Sequence, residues 1–209
     1  MSNRVELVFD FVSPNAYLIW TPLRDILRRT GAELDVVPVF LAGMHKLTGN
    51  APPFMRDAEV KGKNDYAMLE LRRFVAKHKL DKFTMNPKFP FNSITLQRML
   101  VAADQDGRGV QFVDAMLPAI WEQGVDVTDP EALGKAAAAG GFDPAELFAR
   151  SQTDEVKGAV AANTDMAVER GAFGIPTMFV GNTGAASETF EMFFGKERLD
   201  QIEDELTKG

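Results

Sequence analysis

The sequence predicts an α/β protein in which one β-sheet is interrupted by a large, all-helical insertion. Three observations lead to this class: a strand–helix–strand pattern at the start, helical spacing from about residue 61 to 170, and a strand–strand–helix pattern at the end. Because strands need partners, we expect the two ends to form one sheet. Residues 1–44 and 171–209 are then the core, and residues 45–170 are the helical insertion.

The start of the chain reads as strand, helix and strand. Over residues 5–11, β-favouring apolar residues occupy every second position: Val5, Leu7, Phe9 and Phe11. Ser13-Pro14 is typical of a helix start, and Gly31 is typical of a helix end. A second strand is predicted over 34–40. Such a start favours parallel strands joined by a right-handed crossover.

The middle of the chain is predicted to be helical. Helices are expected over 61–78, from Asn92 onward and over 153–170. Asp129-Pro130 and Asp143-Pro144 each combine a capping aspartate with a proline in the first turn, so each predicts a further helix start.

The end of the chain returns to strands. Short strands are predicted over 177–180 and 189–193, joined by a turn over 181–188 that is rich in small residues. A closing helix over 196–207 carries apolar residues at helical spacing: Leu199, Ile202 and Leu206.

Composition excludes several classes of function. The net charge is −7, with 30 acidic against 23 basic residues, which disfavours nucleic-acid or anionic-membrane partners. Without cysteine, the chain has no thiol nucleophile, disulfide or thiolate metal site. Only two histidines occur, so a histidine-rich metal site is not expected. No apolar run approaches the roughly 20 residues of a membrane span, and no secretory segment opens the chain, so a cytoplasmic protein is expected.

Ser13 is the first candidate for chemistry. A serine between a buried strand and a helix N-terminus lies among unpaired backbone N–H groups at the positive end of the helix dipole. Such a position stabilises an anion, including a thiolate brought by a ligand. Taken alone, the pattern favours a plain helix-capping serine, because Ser-Pro is common at helix starts.

Two further segments suit ligand binding. In Gly174-Ile175-Pro176-Thr177, a cis bond before Pro176 would offer the backbone of Ile175 to an extended peptide, although most such bonds are trans. In Phe193–Arg198, Glu197 in a first helical turn could hold an ammonium group, or simply complement the helix dipole.

In this order, the motifs resemble the thioredoxin fold with a DsbA-like helical insertion. Within it, the chain is similar to the 2-hydroxychromene-2-carboxylate isomerases and their relatives, the kappa-class glutathione transferases. The resemblance covers nearly the whole chain and rests on five segments: Phe9–Pro14, Lys46–Pro53, Phe89–Asn92, Glu169–Thr177 and Phe194–Arg198.

Ser13-Pro14-Asn15-Ala16 stands where redox relatives have two cysteines, so disulfide exchange is excluded. The resemblance to the isomerases and kappa-class transferases implies glutathione as the cofactor. By similarity, Ser13 is the catalytic residue, hydrogen-bonding the sulfur and favouring its thiolate. The same resemblance implies a set of glutathione-binding residues: Ser13, Asn50, Ile175, Pro176, Phe194, Gly195, Lys196 and Glu197.

The implied reaction is the isomerisation of 2-hydroxychromene-2-carboxylate and trans-o-hydroxybenzylidenepyruvate, or of a similar aromatic keto acid, by reversible thiolate addition. Lys46 and Asn92 are the implied substrate-binding residues, with Lys46 near the carboxylate and His45 beside it. The chain departs from the family at Glu197, where an aspartate is usual, and in the segment 86–89, which lacks aromatic hydroxyls. The turn 181–188 also looks longer than usual.

Two other functions remain open at this point. One is a kappa-like transferase that conjugates glutathione to electrophiles. The other is a non-catalytic DsbA-like protein that binds a peptide or small acid near Ile175-Pro176. Relatives of this kind often form homodimers, so a homodimer is a further expectation.

Overall fold

The computed structural model describes residues 2–183 and 190–208, and within them it contains one four-stranded sheet. The strands are β1 (Ser2–Phe9), β2 (Glu33–Pro38), β3 (Thr177–Thr183) and β4 (Phe190–Phe194). The sheet order is β2-β1-β3-β4, with β1 and β2 parallel and the other two pairs antiparallel. Both ends of the chain therefore contribute to one sheet, as predicted. The predicted turn 181–188 lies largely outside the described residues.

Ten α-helices are described, most of them between β2 and β3. They are α1 (Pro14–Thr30), α2 (Leu41–Thr48), α3 (Pro53–Arg56), α4 (Lys63–His78), α5 (Ile94–Gln105), α6 (Gly109–Trp121), α7 (Pro130–Ala139), α8 (Pro144–Ser151), α9 (Asp154–Glu169) and α10 (Leu199–Thr207). A 3-10 turn, Lys196–Arg198, precedes α10. None of the helices in the described part of the chain is both long and apolar enough to cross a bilayer.

The fold is the predicted thioredoxin-like α/β architecture with a helical insertion of DsbA type. Helices α2 to α9 form the insertion, and α1 packs against α10 while α5 and α9 contact β2. The division into residues 1–44 with 171–209 and residues 45–170 stays a prediction. Its first boundary falls inside α2.

Strand β1 is a central strand of the sheet and is deeply buried towards its end. Val5, Leu7 and Phe9 are 0% exposed, which confirms the alternating face predicted from the sequence. Val8, whose side chain points to the opposite face, is only 1% exposed. Both faces of the sheet are thus covered at β1, whereas the sequence predicted burial of one face.

Several helices begin at the residues that the sequence indicated. The Asp129 carboxylate accepts a hydrogen bond from the Glu131 N–H, and the Asp143 carboxylate accepts one from the Ala145 N–H. The start of α5 differs by two residues, because the side chain of Asn92 accepts a hydrogen bond from the Ile94 N–H at 3.0 Å. Asn92 therefore precedes the helix and does not open it.

A buried amide joins the carboxyl ends of the parallel strands. Gln97 of α5 is 0% exposed, and its Nε2 donates to the Phe9 carbonyl at 2.6 Å and to the carbonyl of Val39 at 2.7 Å. Buried carbonyls without partners are costly, so Gln97 supplies the hydrogen bonds that these strand ends need. The strand ends next to the site are thereby held together.

Replacing Gln97 by leucine tests this role. Gln97→Leu removes the side-chain hydrogen bonds to both carbonyls, although the Phe9 carbonyl still accepts from the Val39 N–H at 3.1 Å. We expect the free energy of unfolding to fall by about 1–3 kcal/mol. Urea denaturation measures the loss. The control is Gln105→Leu on the same helix, whose exposed amide contacts Glu155 and whose removal should cost no more than about 0.5 kcal/mol. Equal losses in the two variants would contradict the assignment.

Candidate functional site

A cavity of about 620 Å³ lies where β1 ends and α1 begins. The segment before β3 and the turn after β4 line one side of it, and α2, α3 and the loop 89–93 line the other. Seven of the residues predicted for the site line this cavity: Ser13, Asn50, Asn92, Ile175, Phe194, Gly195 and Glu197. Pro176, Lys46 and Lys196 do not line it.

Ser13 precedes α1 and is 5% exposed. Its backbone takes the N-cap position, but its hydroxyl makes no capping hydrogen bond to the helix. The hydroxyl instead points to the carbonyl of Ile175, at the long distance of 3.4 Å. Ser13 therefore occupies the N-cap position without making the side-chain cap that the sequence left open, and its hydroxyl remains available at the cavity wall.

The Ile175-Pro176 peptide bond is cis, which the sequence left undecided. Ile175 is 6% exposed, and its carbonyl faces Ser13 across the cavity wall. The carbonyl of Pro176 accepts a hydrogen bond from the Gly195 N–H at 3.0 Å. The segment before β3 is thus placed between Ser13 and the turn after β4.

The turn after β4 presents Glu197 to the cavity. Gly195 has a φ of +95°, and a Cβ there would lie 3.0 Å from the Glu197 carboxylate, so glycine suits this turn in both conformation and space. The side chain of Glu197 is 54% exposed and forms an ion pair with Lys196. Lys196 itself is buried on the far side of this turn, with Nζ 5.6 Å from the centre of the Phe74 ring.

Asn50 connects the insertion with the segment before β3. Its Nδ2 donates to the Phe173 carbonyl at 2.7 Å, and its Oδ1 accepts from the Ala51 N–H at 2.9 Å. The Arg56 guanidinium also lies 3.5 Å from this oxygen. Asn50 lines the cavity as predicted, and in this structure its amide is bonded to the protein itself.

The charged groups near α2 are arranged differently from the sequence prediction. Lys46 is exposed and points away from the cavity lining, whereas its neighbour His45 is half-buried and lines it. Burial, and then the nearby Arg56, hold the pKa of His45 below its usual value. Among the described residues that line the cavity, Arg56 is the only lysine or arginine, so it is the side chain with a permanent positive charge.

Arg56 is a residue that the sequence analysis missed. It lies at the end of α3, and its guanidinium forms two hydrogen bonds to Asp57, at 3.0 and 3.2 Å. The hydrogen bonds from Arg56 and then from Lys63 lower the pKa of Asp57 to about 2. A single basic residue in a short helix carries no sequence signal that separates it from an ordinary solvated residue.

The opposite wall of the cavity is aromatic. The rings of Phe54 and Phe89 meet edge to face with their centres 5.9 Å apart, and Phe91 is buried behind them. The Phe89-Pro90 bond is also cis, which the sequence did not indicate. Asn92 lies at the end of this wall, exposed at the cavity. Such a wall suits a flat, apolar ligand.

Asp10, between β1 and the Ser13 turn, is a second residue that the sequence analysis did not single out. It is 0% exposed, and its carboxylate accepts hydrogen bonds from the Val12 N–H at 3.0 Å and from the Leu41 N–H at 2.8 Å. Burial raises the pKa of Asp10 to about 6, against the lowering effect of these N–H groups and of the nearby Ser93 hydroxyl. The carboxylate is mostly ionised at neutral pH, at a cost in stability.

The cavity therefore combines one serine hydroxyl, a guanidinium, a carboxylate and an aromatic wall. Within residues 2–183 and 190–208, no three His, Asp or Glu side chains are grouped as a metal site would require. The arrangement suits an organic ligand with both charged and aromatic parts.

Comparison with known proteins finds relatives that cover nearly the whole chain. A family model described as a DSBA-like thioredoxin domain matches residues 4–207. The 2-hydroxychromene-2-carboxylate isomerase of Sphingobium xenophagum is 31% identical over 99% of both chains. Glutathione S-transferase kappa 1 of Rattus norvegicus is 26% identical over 95% of this chain and 88% of its own length. A solved structure of a 2-hydroxychromene-2-carboxylate isomerase covers 96% of this chain and 93% of its own, with a TM-score of 0.78 and 24% identity.

The raised pKa of Asp10 predicts a pH effect on stability. The pKa of Asp10 is about 6 in the folded state, above the ordinary value of 3.8. As the pH falls through 6, the folded state therefore takes up a proton that the unfolded state does not yet bind. Proton uptake by the folded state alone raises the free energy of unfolding. We expect the free energy of unfolding of the wild type, relative to Asp10→Asn, to increase by about 1 kcal/mol from pH 7 to pH 5.

Urea denaturation of both proteins at the two pH values measures this difference. His45 and His78, whose pKa values are lowered mainly by burial, shift stability in the opposite direction. Both proteins carry these histidines, so their effect cancels in the comparison. A difference that does not change with pH would show that Asp10 does not titrate in this range.

Proposed function

The chain belongs to the 2-hydroxychromene-2-carboxylate isomerase family of DsbA-like thioredoxin proteins, and from this premise we propose a glutathione-dependent isomerase. Its substrate pair is 2-hydroxychromene-2-carboxylate and trans-o-hydroxybenzylidenepyruvate, or a similar aromatic keto acid. The observation that carries the proposal is the Ser13 hydroxyl, which faces the cavity at the start of α1 and makes no capping bond there.

Two groups of the cavity support the binding of glutathione: one suits its thiol and the other its γ-glutamyl ammonium. The Ser13 hydroxyl, held only by a 3.4 Å contact to a carbonyl, can turn to donate to a sulfur. The half-exposed Glu197 carboxylate can take an ammonium group. Bound glutathione would supply a thiolate, whose reversible addition to a conjugated carbon turns a double bond into a single bond that can rotate.

Ser13 and the start of α1 would favour the thiolate over the thiol. The hydroxyl donates to the sulfur, and the unpaired N–H groups of the first helical turn add positive potential. A thiol with an ordinary pKa of about 8.5 is mostly protonated at pH 7, so stabilising its anion raises the concentration of the nucleophile.

Backbone groups around Ile175 and the turn after β4 would hold the peptide part of glutathione. Ile175 and Pro176 lie beside Ser13 just before β3, and the Gly195 N–H donates to the Pro176 carbonyl at 3.0 Å. Glu197 would bind the γ-glutamyl ammonium, with Lys196 setting the position of its carboxylate. Asn50 would act as a contact from the insertion side.

The substrate would lie between Ser13 and the aromatic wall. Asn92 is exposed at that wall and can donate to a substrate oxygen. A cation is needed near the substrate carboxylate or the developing enolate. Arg56 lines the cavity and Lys46 does not, so Arg56 is the better candidate for this cation if the substrate lies inside the cavity. Lys46 stays the candidate that the resemblance implies.

We expect glutathione binding at pH 7 to release a proton, and this release to depend on Ser13. Isothermal titration calorimetry with reduced glutathione, in buffers of different ionisation enthalpy, measures the released proton. Ser13→Ala should bind glutathione with less proton release and should lower kcat/KM for the isomerisation about 10- to 100-fold, because a hydrogen bond to an anion is lost.

Ser151→Ala is the matched control. Ser151 is also buried, but it lies on α8 and donates to the Phe148 carbonyl at 2.8 Å. We expect it to leave proton release and turnover within about twofold of the wild type. Unchanged turnover in Ser13→Ala would refute the role of the serine.

Arg56→Met and Lys46→Met distinguish the two candidate cations. We expect Arg56→Met to raise KM for the carboxylate substrate about tenfold, because an ion pair in a partly enclosed cavity is lost, and Lys46→Met to change it by less than about twofold. Steady-state kinetics with the carboxylate substrate and with a neutral electrophile measure both effects. If Lys46→Met raised KM more than Arg56→Met does, the substrate carboxylate would have to lie outside the cavity, near Lys46.

A kappa-like glutathione transferase is the second candidate function, supported by the similarity to the rat kappa enzyme. The two activities differ in their products. An isomerase returns glutathione unchanged, whereas a transferase leaves it in a thioether. Mass spectrometry of the products therefore separates them, and failure of glutathione to bind would favour the non-catalytic binding protein. Homodimer formation and a cytoplasmic location stay predictions.

A further inference from the structure

The buried carboxylate of Asp10 joins two walls of the cavity. One of its oxygens accepts from the N–H of Val12, which immediately precedes Ser13, and the other accepts from the N–H of Leu41, the first residue of α2. The backbone carbonyl of Asp10 also accepts from the Ser13 N–H at 3.1 Å. Val12, Ser13 and Leu41 all line the cavity, so one residue sets the spacing of its two sides.

Asp10 has no compensating cation among the residues that the structure describes. Around it lie the Ser93 hydroxyl and the Gln97 amide from α5, and the Nε2 of that amide is already bonded to two carbonyls. Of the titratable groups on the adjoining elements, His45 on α2 has a lowered pKa, and Tyr17 on α1 has a pKa raised by burial and by Glu122. Backbone N–H groups are therefore the main partners of the charge.

We propose that Asp10 is a positioning residue for glutathione binding: its ionised carboxylate holds the Ser13 turn against the start of α2. This inference rests on the proposed function. An ionised carboxylate accepts at both oxygens, whereas a protonated carboxyl group has one oxygen that donates. Protonation therefore breaks one of the two bonds and releases one wall of the cavity from the other.

The consequence is a binding site that weakens in mild acid. With a pKa of about 6, Asp10 is ionised in roughly one molecule in eleven at pH 5, so affinity should fall about tenfold between pH 7 and pH 5 if only the ionised form binds well. An ordinary surface aspartate would show no such effect, because it stays ionised in this range.

The test uses S-methylglutathione, which keeps the peptide part of glutathione but has no thiol to titrate. Its carboxyl and amino groups also keep their charges between pH 5 and pH 7. Calorimetric titration of the wild type should give a dissociation constant about tenfold higher at pH 5 than at pH 7. Asp10→Asn should bind about tenfold more weakly than the wild type at pH 7, and its affinity should not change with pH.

Two control variants separate this effect from other titrations. Asp104→Asn replaces an acid of α5 outside the cavity whose pKa is also raised by burial, and it should keep the wild-type affinity and pH profile. His45→Gln removes the histidine of the cavity, and the fall in affinity at pH 5 must persist in it. Loss of the pH dependence in His45→Gln would overturn the assignment to Asp10.

Amide hydrogen exchange gives a readout that needs no ligand. At least one of the N–H groups of Val12 and Leu41 should exchange about tenfold faster in Asp10→Asn than in the wild type, after correction for intrinsic rates, because asparagine keeps a single acceptor oxygen. Unchanged exchange together with unchanged affinity in Asp10→Asn would refute the positioning role. If the wild type does not bind S-methylglutathione, the proposed function is refuted. The exchange measurement then still tests whether Asp10 holds the Ser13 turn.

Discussion

The antiparallel pairing of β1 with β3 is the constraint on which the candidate site depends. Val8 of β1 lies opposite Thr177 of β3, so the turn after β1 and the segment before β3 emerge side by side. This brings the Ser13 hydroxyl within 3.4 Å of the Ile175 carbonyl, although the two residues are 162 positions apart. The pairing of Thr177 with Phe194 then adds the turn after β4 to the same edge. Three segments that are distant in sequence meet because one sheet holds them.

The insertion supplies the other half of the cavity, and close packing sets its position. The Asn50 amide donates to the Phe173 carbonyl, which ties the loop after α2 to the segment before β3. A Cβ at Gly174 would lie only 2.9 Å from the ring of Phe194, so the backbone and the aromatic side chain are in direct contact there. The absence of a side chain at Gly174 therefore allows the two strand ends to approach each other. The cavity thus lies between the end of the sheet and the insertion, and its position depends on these particular contacts.

Buried polar groups are concentrated where β1 ends. Asp10 and Gln97 are both fully buried, and each bonds to backbone groups of two different segments. The Trp121 indole adds a hydrogen bond to the Phe11 carbonyl at 3.1 Å, in the turn that carries Ser13. Apolar side chains at this place would remove these hydrogen bonds and would leave backbone groups such as the Leu41 N–H without the partners that they have here. The ionised Asp10 lowers stability near neutral pH, and a cost of this kind is typical of groups that serve a site rather than the fold.

Local chemistry in the sequence determined the elements and their order. The capping aspartates Asp129 and Asp143 and the alternation along β1 act within a few residues, so their structural outcome could be predicted. The sequence also placed Ser13 at the start of a helix and, through its family resemblance, indicated seven of the residues that line the cavity. It could not assign the partner of the Ser13 hydroxyl, because that partner is a backbone carbonyl from the other end of the chain.

Tertiary structure alone decided which side chains of the insertion face the cavity. His45 and Lys46 are neighbours on one short helix, yet His45 lines the cavity and Lys46 is exposed, because the packing of α2 against α9 sets the rotation of the helix. The same holds for Asp10, whose burial depends on α2 and α5 closing over the end of β1. Helical and strand periodicity specifies which residues share a face, but what lies opposite that face depends on how the elements pack.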